Sequence, residues 1–289
     1  MNTSVKKQHY ASHRRRKITK LTAIYIFLVV ISVIWLIPFL YLILQSFALK
    51  FESDAFIPQE WSVSGYKILF TSTSYPFWRW WLNTFIIAIA TSILQTLITL
   101  MTSYALSRLR FRLRKPMMEL MLVIGMFPSF LSMVIIYYIL DAIGISSSIY
   151  SLILVYIASS AMGYYVSKGF FDTIPKSLDE AAMIDGANRN TVFFRIILPL
   201  SKPIIVYTLL MGFSSPWGDY MMASYLAQGN QNMFNVAVGL QSMLSKGTME
   251  TMFPAFCAGG VLTSIPIMIL FFCLQKYYVE GVTGGAVKG

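Results

Sequence analysis

The chain has 289 residues, of which 56% are hydrophobic and 12% charged, and it carries a formal net charge of +11. A water-soluble domain averages about 25% charged residues, so this composition excludes an ordinary soluble fold and points to a membrane protein. The chain's two histidines, His9 and His13, both lie near the N-terminus, which excludes a histidine-based triad or an HExxH zinc site from the apolar body. No GxxxxGK[ST] phosphate loop and no GxSxG elbow occurs.

Residues 1–20 form a basic arm. Its "RRRK" run, Arg14 to Lys17, is read as the flank of a first membrane span rather than a nucleic-acid patch. Six charge-free stretches of bilayer scale follow, at 21–47, 82–107, 120–140, 142–167, 203–218 and 251–275. The fifth is short, and continues beyond Asp219 to Gln228 without another charge. The first is too long for the apolar core of a signal peptide, about 7–15 residues, and is expected to be retained, with a kink at Pro38.

With the N-terminus inside and the spans alternating, 19 of the 23 lysines and arginines fall on inside segments. Lys50, Lys67, Arg79 and Lys246 are the four outside. That bias predicts an all-α membrane protein of six transmembrane helices with both termini in the cytoplasm. The positive charge is therefore topological, and no nucleic-acid partner is expected. Residues 21–276 read as one integrated membrane domain, followed by a glycine-rich cytoplasmic tail at 277–289. Cys257 and Cys273 share the last span, roughly 24 Å apart along a helix, too far to bond.

The connections follow in order. The outside segment 48–81 ends in "YPFWRWW", read as an interfacial aromatic belt, with a ligand cage as the alternative. "SRLRFRLRKP" is a short basic cytoplasmic turn, and "DAIGISSS" a tight outside turn. Asp219 is the one acid placed within a span, which argues against a proton relay of several carboxylates. Pro216 and Gly218 are expected to break the helix beside it.

The largest cytoplasmic loop, about 168–202, contains "SLDEAAMIDGANRNTVFFRIILPLSKP". Ser177 and Glu180 fit a capping box, and Asp179 and Glu180 suit the positive end of a helix dipole. A helix of about two turns is expected to end at Gly186, where positive φ costs least. Asn188 or Asn190 then caps a second helix, which Pro199 and Pro203 close. Ala181 and Ala182 leave one face shallow. This unit is either a docking knuckle for another protein or an amphipathic helix lying on lipid headgroups.

The spacing of Glu180, Ala181, Ala182, Gly186, Ile196, Leu198 and Pro199 resembles the EAA loop of ABC importer permeases. "LNTFIIAIATS", "YALSRLRF", "GMFPSFLSMVIIYYILDAIGI" and "QKYYVEGVTGGAVKG" resemble the maltose-type carbohydrate permeases, specifically the smaller subunit of the heterodimer. The resemblance covers residues 21 to 289.

It implies a type I ABC importer permease fold in a bacterial cell membrane, with no catalytic residue, metal or cofactor on this chain. ATP and Mg would be bound by separate ATPase subunits. The implied partners are a second permease, two ATPase subunits, an extracytoplasmic solute-binding protein and an oligosaccharide such as maltodextrin. Glu180 and Asp185 would contact the ATPase, and Gly186 would keep the bend. In the outer loop, about 228–251, Asn230, Gln231, Asn232 and Gln241 are candidates for contact with the binding protein. Trp217, Asp219 and Tyr220 are candidates for an outer gate or a sugar path. Gly281, Gly284, Gly285 and Lys288 mark the tail, which the resemblance places between the ATPase subunits. The alternatives are an importer of a non-sugar solute such as polyamine, phosphate or molybdate, and, from a different class, a membrane-embedded enzyme or scaffold.

Overall fold

The computed structural model describes residues 3–52, 55–245 and 247–286. Lys246 and Lys288 lie outside the described residues. Among the described residues the chain is helical, its one β feature being an isolated bridge between Ala48 and Trp61.

Among the described residues three helices are long and apolar enough to cross a membrane: Ile18–Gln45 within α1 (Thr3–Ser46), α3 (Phe77–Arg108), which follows the short α2 (Ser64–Thr71), and Met249–Tyr277 within α14 (Met249–Ala286). Three bent pairs raise the number to six if each is one span. Helices α4 (Arg114–Gly125) and α5 (Ser129–Ala142) meet at 107°, and α6 (Ile149–Ala158) and α7 (Ala161–Thr173) at 44°. Arg189–Leu200 meets α11 (Lys202–Gly218) at 82°. The sequence pattern anticipated unbroken third and fourth spans. Phe127–Pro128 interrupts the third, because proline lacks an N–H and disfavours helix in the residue before it. Pro38, by contrast, sits inside the continuous α1.

Helix α3 organises the body, packing on α11, α7 and α6. Lipid is as apolar as leucine, so membrane helices associate through close approach and polar contacts rather than by escaping water. The buried face of α3 fits this: Thr84, Ala88, Thr91 or Ser92, Thr96, Thr99, Ser103 and Ser107 recur every three to five residues. Ser92 Oγ donates to Leu209 O of α11 at 2.9 Å. A Cβ added at Gly212 would lie 2.8 Å from Gln95 Oε1 and 3.0 Å from the Ser92 Cα, so glycine allows the close approach at that crossing.

Two apolar cores lie along α3. One gathers Phe77, Trp80, Ile87, Leu152, Trp217 and Val236; the other gathers Leu100, Tyr104, Phe171, Val192, Phe193 and Ile197. The aromatic run therefore differs from a simple belt. Phe77 and Trp80 are fully buried while Trp78 and Arg79 between them are exposed, because α3 starts at Phe77 and residues three apart share its inward face. Between Leu21 and Leu40 every side chain of α1 is exposed and nearly all are apolar, with Trp35 71% exposed, as a lipid-facing helix requires.

The last helix runs on to Ala286 and carries Gly281, Gly284 and Gly285, where the glycine content suggested an irregular tail. Each glycine costs a helix about 1 kcal/mol relative to alanine, which a 38-residue element tolerates.

Candidate functional site

The polar loop forms the expected helix, bend and second helix. Helix α8 (Ser177–Ile184) is followed by Gly186 at φ +86°. Ala187 N closes the end by donating to Ala182 O at 2.9 Å. Asn188 caps the next helix by accepting from Thr191 N at 2.8 Å. That helix begins as α9 (Arg189–Thr191), widens into a π-helical turn at Val192–Ile197, and ends as α10 (Leu198–Leu200) with Pro199 in its first turn. Ile196 and Leu198 pack against the lower core.

One expectation at the helix start fails and one holds. Ser177 is the first helical residue instead of the cap, and Lys176, already in helical geometry, precedes it with no side-chain cap bond. The helix begins one residue early, so the capping box with Glu180 does not form. Asp179 and Glu180 do lie in the first turn, at the positive end of the helix dipole, and Asp179 also turns inward. It is the one buried residue of α8, and its Oδ2 lies 3.2 Å from Arg108 Nε at the end of α3. Burial pushes the Asp179 carboxyl above the usual carboxylate range, against the pull of the Arg108 guanidinium. Of the two alanines, Ala181 is exposed, while Ala182 packs on the lower core. Glu180, Asp185 and Gly186 are exposed, and Ile184 projects outward, 86% exposed.

Sequence reasoning placed one acid within the spans. The helix reading as span four continues to Thr173 and carries Asp172, which accepts from Ser107 Oγ at 2.6 Å and meets Lys168 Nζ at 2.5 Å. A count of charge-free runs stops at Lys168, and misses a helix whose next charges neutralise each other one turn apart.

At the other end of the body, α11 ends at Gly218 and α12 (Met221–Ala227) begins after a break at Asp219 and Tyr220. The Asp219 side chain holds this break. Its Oδ2 accepts from Tyr156 Oη of α6 at 2.6 Å, and its Oδ1 accepts from Met222 N at 3.1 Å. Trp217 is buried in the upper core, whereas Tyr220 is exposed. The three residues therefore do not converge on one surface, and Trp217 is covered by its own chain.

The outer loop is also structured. Asn230 caps a 3₁₀ turn at Gln231–Met233 by accepting from Asn232 N at 3.1 Å. A short helix α13 (Val236–Ser242) follows, packed on α3. Asn230, Gln231, Asn232 and Gln241 are all exposed. The decisive residue is one that the sequence did not single out. Asn235 is fully buried; its Nδ2 donates to Pro216 O at 3.0 Å and Asp219 O at 2.6 Å, while its Oδ1 accepts from Val238 N at 2.9 Å. It thereby satisfies carbonyls freed at the helix break and caps α13. Being the first residue of an Asn-x-x start to an apolar run was its only sequence signal.

The family described as binding-protein-dependent transport system inner membrane component matches residues 98–284. The maltodextrin transport system permease protein MdxG of Bacillus subtilis is 35% identical over 269 residues, spanning 92% of this chain and 95% of that protein. The galactooligosaccharides transport system permease protein GanQ of the same organism is 34% identical over 96% of this chain and 99% of its own length. A chain from the crystal structure of a bacterial ABC transporter involved in the import of the acidic polysaccharide alginate superposes with a TM-score of 0.76, covering 91% of this chain and 97% of that one. At 20% identity that likeness establishes a shared fold.

Proposed function

Because this chain belongs to the family of binding-protein-dependent transport system inner membrane components, we propose that it is one permease subunit of an ATP-driven importer of oligosaccharides of the maltodextrin or galactooligosaccharide kind. It crosses a bacterial cell membrane six times with both termini in the cytoplasm. A second permease completes the path, and two separate ATPase subunits bind ATP and Mg. The chain itself does no chemistry.

The observation that carries the reading is the shape of the polar loop. A two-turn helix ends in a left-handed glycine and leaves Glu180, Ala181, Ile184 and Asp185 facing outward, while Asp179 anchors it from beneath to Arg108. A helix buried on one side and presenting an apolar tip with flanking carboxylates suits insertion into a cleft of another protein. Movement of that tip passes through Arg108 to α3, and from α3 to the helices packed on it.

The outer end fits the same scheme. Exposed Asn232 is held to Asn83 of α3, whose Nδ2 donates to Asn232 O at 2.9 Å and to Phe234 O at 3.1 Å, and the following turn is braced through Asn235 to the α11 break. A solute-binding protein docking there would act on the Asp219 break directly. Asp219, engaged with Tyr156, serves as part of an outer gate.

Uptake of labelled maltodextrin and galactooligosaccharide by cells lacking this subunit, with and without restored expression, tests the proposal. Uptake that disappears and returns with the gene supports it. Loss of polyamine or phosphate uptake with oligosaccharide uptake intact would replace it.

A further inference from the structure

A cavity of about 600 Å³ opens on the cytoplasmic side beside α8. Five cations line it: Arg108, Arg110 and Arg114 from the α3–α4 turn, and Lys176 and Arg189 from either side of α8. Asp179 and Glu180 are the acids in its wall, so the lining keeps an excess of positive charge. Such an excess in a concave site concentrates anionic groups.

The Arg108 side chain is only 3% exposed. Its Nη2 donates to Ile174 O at 2.7 Å, and its Nε faces Asp179. Its Nε and Nη1 have no hydrogen-bond acceptor among the described residues, and neither has Asp179 Oδ1 a donor. A buried guanidinium N–H without an acceptor is costly, and native structures satisfy nearly all such groups. The cavity is thus a built site that wants an oxygen acceptor and, beside it, a donor. A carboxylate borne on a polypeptide brings both, since its chain supplies N–H groups next to its oxygens. Glu180, one turn before the exposed Ile184, and Met183, directly before it, are wall residues of α8. A body seated on that helix end reaches the cavity.

We propose that this cavity receives an acidic side chain of the ATPase subunit, with Arg108 Nη1 as its inner ligand and Arg110 and Arg189 at the rim. The inference rests on reading α8 as the coupling helix. Docking would then be two-signed, with Glu180 and Asp185 offered to cations of the partner and the cavity taking an anion from it. Two oppositely signed contacts on one small knuckle fix its orientation as well as its affinity.

The test uses the assembled permease pair in nanodiscs of uncharged lipid, titrated with its purified ATPase subunit at several salt concentrations. Arg110 and Arg189 are exposed, so reversing them leaves the packed body intact. The Arg110→Glu, Arg189→Glu double variant is expected to bind the ATPase at least tenfold more weakly, with a flatter salt dependence. Lysine substitution of an acid in the ATPase cleft is expected to recover part of that loss. Unchanged binding by the double variant overturns the proposal, as does a loss that appears only when anionic lipid is included, which would make a headgroup the occupant. Ile184→Asp, at a side chain with no packing role, checks the premise separately. If Ile184→Asp binds normally, the coupling-helix reading fails. If it binds poorly while the double variant binds normally, only the cavity assignment fails.

Discussion

Tyr156 donates its hydroxyl to Asp219 at 2.6 Å, joining α6 to the break between α11 and α12. A hydrogen bond to a charged group contributes about 1.5–3 kcal/mol, and an unpaired acid at membrane depth costs a few kcal/mol more. Tyr156→Phe removes the bond and keeps the ring, whereas Asp219→Asn keeps the shape and removes the charge. If the pair closes an outer gate, both variants raise basal ATP hydrolysis and weaken its dependence on the binding protein, with sugar preference unchanged. The measurement is hydrolysis and uptake on one reconstituted preparation. Low basal hydrolysis with a raised half-saturating sugar concentration would instead make Asp219 a sugar ligand.

Asn235 has a different role, as a brace. Asn235→Leu keeps the volume but strands the Pro216 and Asp219 carbonyls and the Val238 N–H. Each buried group left unmatched costs about 1–3 kcal/mol, so the thermal midpoint of the purified complex should fall by several degrees. Asn230→Ala, at an exposed cap of a three-residue turn, should move it little. Equal midpoints for the two variants would remove Asn235 from the brace.

Gly239 of α13 gives a steric counterpart. A Cβ built there collides with the Trp80 ring, which is fully buried on α3. Gly239→Leu must push α13 off α3, and a midpoint lowered at least as far as by Asn235→Leu is expected. A wild-type midpoint would mean that α13 is free to shift.

Much of the polar knuckle was legible because its signals are local. Gly186 and Asn188 are read from backbone preference within a few residues. The capping box failed on a one-residue shift, which propensity does not resolve. The ties that position the site join distant parts of the chain: Arg108 to Asp179, Ser107 to Asp172, Tyr156 to Asp219, Asn235 to Pro216. Serine, tyrosine and asparagine carry no charge, so a search for charges in apolar runs passes over them. The break at Phe127–Pro128 was visible as a proline, yet span length alone gave no reason to divide the stretch there.

Topology has a direct readout. Ser177 and Asn230 are both exposed and lie at opposite ends of α11 in the chain. In a cysteine-free background, Ser177→Cys should react only with reagents that enter the cytoplasm, and Asn230→Cys with an impermeant reagent from outside. Labelling of Ser177→Cys from outside in intact cells is incompatible with six spans and internal termini.

The bend at Gly186 separates backbone strain from crowding. Its φ is +86°, and a Cβ built there meets no atom within 4 Å. Any penalty inside this chain is therefore conformational, about 1–2 kcal/mol for an ordinary residue, smaller for asparagine and larger for a β-branched one. Asn, Ala and Val at this position should retain uptake in that decreasing order, with membrane insertion and ATPase binding measured alongside. Asparagine is larger than alanine, so strain and size predict opposite orders for the first two. If uptake follows strain, Gly186 acts by aiming the second helix. If Gly186→Ala outperforms Gly186→Asn, the space beyond this glycine is filled in the assembled transporter, and the partner surface approaches its Cα too closely for a side chain.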